Sequence, residues 1–404
     1  MINRNLIFKN NNQIQSHKAG YKKLSKKFDK IYLGLKSDIK SKNRTLNVLD
    51  KNFKFSFKFN ELQKFRKYKS IAIIGMGGSI LGTEAIHDFF KSKIKKKIYF
   101  FNNINENRIT NFKKKENLSK VLYIVVSKSG NTIETLSNLF SLNILKKNAK
   151  NIIIITEKKT NVLYLLSKKF KLFFVEHKNY IGGRFSVLSE VGILPSYLMG
   201  LNISKLRSQI TNCLEKKNKN FLKNSTIKIA NLLNSNNYNN LIFLNYFPEM
   251  DKFLYWCQQL IAESLGKKNK GFLPFISSAP KDHHSLLQLY LDGPKDKLFN
   301  ICSFEKESKE KIQIKNFFGN ESYLNNKKLS KIKNSQKLAL IKSFNKKKIP
   351  FRELKIKRAD EKVLGELFSY FIIETIIIGK LLEINPFDQP AVDQVKVNTK
   401  KLLS

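Results

Sequence analysis

The sequence predicts an α/β fold made of two similar units, and three observations carry that prediction. Short runs rich in Ile and Val, such as Ile71–Ile74 and Val121–Val126, recur at helix-length intervals, which is how strands buried in a parallel sheet read. The same alternation returns in weaker form from Leu241. A long apolar stretch, Leu367–Ile384, then closes the chain's pattern. Glu374 and Lys380 interrupt it and Glu361, Lys362 and Glu366 precede it, so it reads as a buried helix and not a membrane span.

The elements follow in order. Residues 1–66 are polar and Lys-rich with scattered Leu, Ile and Phe, as in Ile31 to Ile39, and are expected to form a helical arm. Met1–Asn10 has one short apolar patch, Leu6-Ile7-Phe8, and no secretory pattern, so it reads as mature sequence. The first unit, 67–205, has candidate strands at Ile71–Ile74, Ile98–Phe101, Val121–Val126, Ile152–Ile155 and Leu172–Val175, with helices expected after Ser79, Thr132 and Phe185. The second, 206–358, has candidate strands at Leu241–Asn245, Phe272–Ile276, Leu298–Phe304 and Phe351–Ile356. Its helices are expected around Lys252–Leu265, His284–Leu291 and Gln336–Phe344. In the closing segment, 359–404, helices at Asp360–Glu383 and Gln389–Leu403 are separated at Asn385-Pro386, where proline breaks the ladder.

With 404 residues, 42% of them apolar, the chain can build two packed cores. Cys213, Cys257 and Cys302 are far apart and odd in number, which fits neither a disulfide framework nor a CxxC site and points to a reducing, cytoplasmic setting. The net charge of +45 would ordinarily suggest nucleic acid. Here the lysines are scattered, as in Lys113-Lys114-Lys115, Lys216-Lys217 and Lys346-Lys347-Lys348. The reading is loose, salt-sensitive attraction to anions, with no specific nucleic-acid partner.

Several motifs carry chemistry. In Val125-Val126-Ser127-Lys128-Ser129-Gly130-Asn131-Thr132, a strand runs into a hydroxyl turn and then a helix. This is either a phosphate cradle or an ordinary capped helix start. No P-loop pattern is present. Gly75-Met76-Gly77-Gly78-Ser79 is a second such turn, suited to close ligand approach, whose spacing does not match a dinucleotide fingerprint. Gly182-Gly183-Arg184-Phe185-Ser186 delivers a guanidinium, for an oxyanion or for a salt bridge. Glu263 ends an otherwise apolar helix with Gln259 one turn earlier, as a candidate general base or a solvated helix-end carboxylate. His283-His284 begins another element; two adjacent histidines do not make a zinc site, leaving acid–base work or capping.

Together with Asn385-Pro386-Phe387-Asp388-Gln389-Pro390-Ala391-Val392, these segments resemble the glucose-6-phosphate isomerase family, with six motifs in order between about Ile71 and Lys396. The resemblance implies two sugar isomerase (SIS-type) domains, each a mainly parallel sheet flanked by helices, with helical terminal segments. It implies isomerisation of a sugar phosphate through a cis-enediol, without cofactor or metal, at a site completed across a homodimer. By position, Ser127, Ser129 and Thr132, with the backbone near Lys128, would hold the phosphate, and Gly78 and Ser79 would lie beside the sugar. Glu263 matches the family's base, His284 its ring-opening histidine from the neighbouring subunit, and Lys396 the lysine partner of that histidine. Arg184 matches the arginine that stabilises the enediolate; Gln259 and Gln389 match pocket glutamines. The chain departs from the pattern at His283, Leu286 and Ala262, and in the residues preceding the histidines, Ser278-Ala279-Pro280-Lys281-Asp282. A sugar-phosphate-binding protein without catalysis, and an isomerase that also takes mannose 6-phosphate, are the competing readings.

Overall fold

The computed structural model describes residues 6–10, 18–314 and 323–403. Strand β1 (Leu6–Asn10) and helix α1 (Lys18–Lys40) begin the chain. The next elements are β2 (Ser70–Ile74), α2 (Leu81–Phe89), β3 (Lys97–Phe101), α3 (Glu106–Lys115), β4 (Val121–Val126) and α4 (Ile133–Ser141). They continue with β5 (Ile152–Thr156), α5 (Val162–Lys169), β6 (Phe173–Glu176), α6 (Glu190–Leu198) and α7 (Ile203–Arg207). After α8 (Lys216–Asn234) come β7 (Asn240–Asn245), α9 (Asp251–Leu265), β8 (Leu273–Ser278), α10 (Leu287–Asp292) and β9 (Lys297–Phe304). The chain closes with α11 (Leu329–Lys346), β10 (Phe351–Ile356), α12 (Glu361–Leu381) and α13 (Asp393–Leu403).

Two five-stranded sheets result, ordered β3-β2-β4-β5-β6 and β1-β10-β9-β7-β8. Every pairing is parallel except that of β1 with β10. The runs of Ile and Val that marked the strands are buried on both faces, as in β4 and β5. Polar residues start the helices: Asn105, Asn161, Asn202 and Asp360 each accept a backbone N–H at the helix entry. Helix α12, almost wholly buried, packs against α1, α7, α8 and α9. Among the described residues no helix is long and apolar enough to cross a membrane.

Four local expectations change. The start of the expected helical arm is a strand: Leu6 and Phe8, two apart, both turn inward, and Phe8 stacks on Tyr370 with ring centroids 4.2 Å apart. Met1–Asn5 lies outside the described residues. Phe185 does not start a helix but sits in a 3-10 turn, Gly183–Leu188; α6 starts at Glu190, with Ser189 as its cap. The lysine- and asparagine-rich run at 216–220 opens the 19-residue α8, which the sequence reading did not identify. His284 ends a 3-10 turn, Lys281–His284, ahead of the shorter α10.

Candidate active site

In the first sheet β2 has β3 on one side and β4 on the other, so the strand order reverses at β2 and β4. Ligands in open parallel sheets bind outside the carboxyl ends of strands at such a reversal. Both glycine- and hydroxyl-bearing turns lie there. Ile74 is registered with Val125, so the 3-10 turn Gly77–Ser79 after β2 and the Ser127 turn after β4 leave the sheet side by side.

The hydroxyl turn is tied to itself. Ser127 Oγ lies 2.8 Å from Thr132 Oγ1, and Ser129 Oγ 3.4 Å from it. Gly130 N–H donates to Ser127 Oγ at 3.1 Å. Thr132 occupies the N-cap of α4 yet makes no side-chain cap bond, so the first turn of that helix keeps donors for an anion. Lys128 points its ammonium elsewhere, to Asn179 O at 2.6 Å and Glu157 at 3.8 Å. Burial pushes its pKa down, and Glu157 partly restores it.

The other turn is closed in by neighbours. A Cβ on Gly78 would stand 2.2 Å from the carbonyl carbon of Gly183, so the two glycine turns meet backbone to backbone and only glycine fits. Gly77, at φ +51, lies under Gln259, whose Nε2 would stand 2.8 Å from an added Cβ. Ser79 closes the turn with its N–H on Met76 O at 3.0 Å.

Arg184 is the hub. It is 3% exposed, and its Nε donates to Ser264 Oγ at 2.8 Å. Its Nη2 donates to Pro386 O at 2.7 Å and to Asp388 O at 3.0 Å. That leaves Nη1, which reaches Glu263 Oε2 at 3.2 Å and Gln389 Oε1 at 3.3 Å. Glu263 also accepts from Gln259 Nε2 at 2.9 Å. Burial lowers the Arg184 pKa and Glu263 offsets part of the drop; a guanidinium stays cationic regardless. Gln259 Oε1 is buried and has no hydrogen-bond partner among the described residues, an acceptor available to a ligand hydroxyl. Glu263 keeps 31% of its side chain exposed, so solvent or a ligand can reach it.

One chain thus gathers Gly78, Arg184, Gln259, Glu263 and Gln389, with Ser79 in the adjoining turn and Ser127, Ser129 and Thr132 on the neighbouring strand. It does not bring His284 or Lys396 to them. His284 is exposed, in the 3-10 turn Lys281–His284, and its side chain takes no part in the hydrogen bonds and ion pairs of the described residues. Lys396, on the solvent-exposed α13, pairs with Asp393 at 3.1 Å. The neighbouring His283 is held differently, its Nε2 2.7 Å from Tyr246 OH; burial pushes its pKa down, and His284 adds to the effect.

Two residues of the site went unassigned in the sequence. Ser264 fixes Arg184 from the position next to Glu263. Lys267 Nζ donates to Asn385 O at 2.6 Å and to Asp388 O at 2.7 Å, clamping the loop that carries Gln389. Its ammonium beside Asp388 holds that carboxyl below its ordinary range. Both lie in the AESLGK segment, and that placement was their one visible signal.

A family profile described as phosphoglucose isomerase matches residues 39–404. A probable glucose-6-phosphate isomerase of Methanococcus maripaludis is 34% identical over 368 residues, covering 87% of this chain and 82% of that protein. A glucose-6-phosphate isomerase of Methanocaldococcus jannaschii is 31% identical over 355 residues, covering 81% and 83%. Among solved structures, a hypothetical protein from Thermus thermophilus superposes with a TM-score of 0.82 at 24% identity, covering 98% of this chain and 100% of that one. A glucose-6-phosphate isomerase from Chlamydia trachomatis gives 0.71 at 20% identity, covering 85% and 72%; both establish likeness of fold.

Proposed function

The chain belongs to the phosphoglucose isomerase family, and from that premise we propose that it interconverts glucose 6-phosphate and fructose 6-phosphate. The observation that carries this reading is the Glu263 carboxylate, open to a ligand on one side and gripped by Arg184 and Gln259 on the other. Isomerisation removes a proton beside a carbonyl, so it needs a base spanning two carbons and a cation near the oxygen that becomes negative. Glu263 takes the proton from one carbon and returns it to the next. As it does so its own charge disappears, and the Nη1 of Arg184 is released toward the enediolate oxygen. The carbon-bound proton is given back at the neighbouring carbon and the hydroxyl proton passes from the oxygen that becomes the carbonyl to the one that was it, so the reaction balances without a redox cofactor.

The hydroxyl turn at Ser127, Ser129 and Thr132 and the start of α4 would take the phosphate, remote from the reacting carbons. Anchoring there holds the open-chain sugar in register with Glu263. Ring opening falls to His284 and Lys396. Their separation from Glu263 within one chain supports a homodimer in which His284 serves the neighbour's site. So do the exposed Val395, Val397 and Leu402 of α13, apolar side chains left largely uncovered among the described residues.

The test is turnover of fructose 6-phosphate by purified protein with a chelator present, followed by mixing of two inactive variants. Glu263→Gln and His284→Ala chains, refolded together, are expected to regain activity that neither has alone. No recovery despite mixed dimers would place both residues in one protomer's site, and no wild-type turnover would remove the isomerase reading.

A further inference from the structure

The second sheet repeats the order of the first: β7 has β8 on one side and β9, then β10, on the other, as β2 has β3 and then β4 and β5. The counterpart of β4, whose exit carries the hydroxyl turn, is therefore β9. At the matching reversal, outside the carboxyl ends of β7 and β9, lies a cleft of about 360 Å³. Tyr246 after β7, Ser303 at the end of β9 and the following Glu305, Lys306 and Glu307 form one wall; Lys328, Lys331, Lys333 and Lys337, from α11 and the residue before it, form the other, so that five lysines outnumber two glutamates.

Lys337 is 4% exposed, and the hydrogen bond of its Nζ goes to Ser303 Oγ at 3.2 Å. No carboxylate among the described residues lies within ion-pair distance of it. The carboxylates nearby are engaged with other lysines: Glu305 and Glu353 face Lys355 at 3.9 and 3.4 Å, and Glu307 pairs with Lys328. Burial lowers the Lys337 pKa and the charge of Lys355 lowers it further, while Glu353 and Glu305 offset part of the drop from a distance. A buried ammonium with no carboxylate in direct contact is costly to maintain, and an anion placed between it and its basic neighbours relieves that cost. Lys328, the N-cap of α11, makes no side-chain cap bond, but the N–H of Ser330 in the first turn of that helix is taken by Ser308 Oγ at 3.0 Å, so it is the lysine side chains that give the cleft its positive charge.

We propose that this cleft is a second anion site, which binds a small phosphate monoester through its phosphate and lies apart from the Glu263 site. The volume suits a phosphorylated metabolite of a few carbons, and the basic wall selects phosphate over neutral sugars. The same chemistry serves inorganic phosphate and a sugar phosphate, so both are probes.

Calorimetric titration of the full-length chain with inorganic phosphate, and separately with fructose 6-phosphate, reads the number of sites. Wild type is expected to take up one equivalent more than Lys337→Met, in which the second site is weakened about tenfold or more, while fructose 6-phosphate turnover is unchanged. Lys333→Gln, closer to the surface, should weaken the same site and covers the case in which Lys337→Met does not fold. Lys342→Gln removes an equal charge from an exposed position of α11 and should change nothing. Equal stoichiometry and affinity in wild type, Lys337→Met and Lys333→Gln overturn the proposal, as does an equal loss in Lys342→Gln. A chain without isomerase activity would still show or lack this equivalent, so the two readings fail separately.

Discussion

Among the described residues two buried arginines each pair with a glutamate, and the two pairs use the same chemistry for different ends. Arg352 grips Glu374 with two bonds, at 2.6 and 3.2 Å, and both side chains are nearly sealed, at 6% and 5% exposure. Tyr370 OH adds a bond to Glu374 at 2.6 Å, and Asn300 takes the Arg352 Nε at 2.8 Å. Burial works against the Arg352 charge, but Glu374, Tyr370 and Cys302 together outweigh it and the pKa is raised. Arg184 reaches Glu263 with one bond at 3.2 Å, and its partner is 31% exposed. There burial prevails and the pKa falls. A carboxylate enclosed on every side ties β10 to α12; one left open on one side is free to accept a proton.

The sharpest way to break this comparison is to neutralise each carboxylate. Glu263→Gln should lower kcat by about 10²–10⁴-fold, the usual contribution of a general base, while its urea midpoint stays near that of wild type. Glu374→Gln should do the reverse and cost about 3–5 kcal/mol of stability, because Arg352 is left buried without its counter-charge. Turnover per folded molecule should be unchanged. A Glu374 variant that folds well but turns over poorly would end the division.

What could be read in the sequence follows the same line. The strands of the first sheet were legible because Ile and Val crowd both faces of β2, β4 and β5; those of the second carry the weaker, mixed pattern of β8, β9 and β10. Strand β1 was not, since five residues around Leu6 and Phe8 acquire meaning only against β10 near the other end of the chain. Helix α8 hid its buried face, Leu222, Thr226, Ile229 and Leu233, beneath lysine and asparagine. Arg184, Glu263 and Gln389 were visible as separate motifs, but their meeting is a tertiary fact. Ser264 and Lys267 had no pattern beyond adjacency, because a hydroxyl or an ammonium that orients another group needs no spacing of its own.

The histidines extend the comparison to pH. His177 is buried against Thr156 and Lys178, its Nε2 has no partner among the described residues, and burial pushes its pKa from 6.5 to about 4. Nearby Lys128 lowers it further, against Glu157. Between these values the unfolded chain binds the proton and the folded one does not. Stability is therefore full above about pH 6.5 and is lost as pH falls toward 4, by up to about 3 kcal/mol. Urea unfolding at pH 7 and pH 5 should show wild type losing more stability than His177→Gln; equal losses would remove His177 from the acid response.

The smallest effect separates orientation from contact. Ser264 is fully buried, and among the described residues its hydroxyl accepts from Arg184 Nε at 2.8 Å, so it is a positioning residue. Ser264→Ala leaves that N–H without an acceptor and loosens the side of the guanidinium that faces away from the substrate. The two carbonyls on Nη2 still hold it, so the loss should be modest, about tenfold, the scale of one hydrogen bond to a charged group. Because Nη1 follows charge that develops during the reaction, the loss should fall on kcat and leave KM unchanged. Ser264→Thr, which keeps the hydroxyl, should recover most of the rate. A rise in KM with kcat intact would mean that Arg184 grips the substrate before the proton moves, and its pairing with Glu263 would then be a contact that binding has to break.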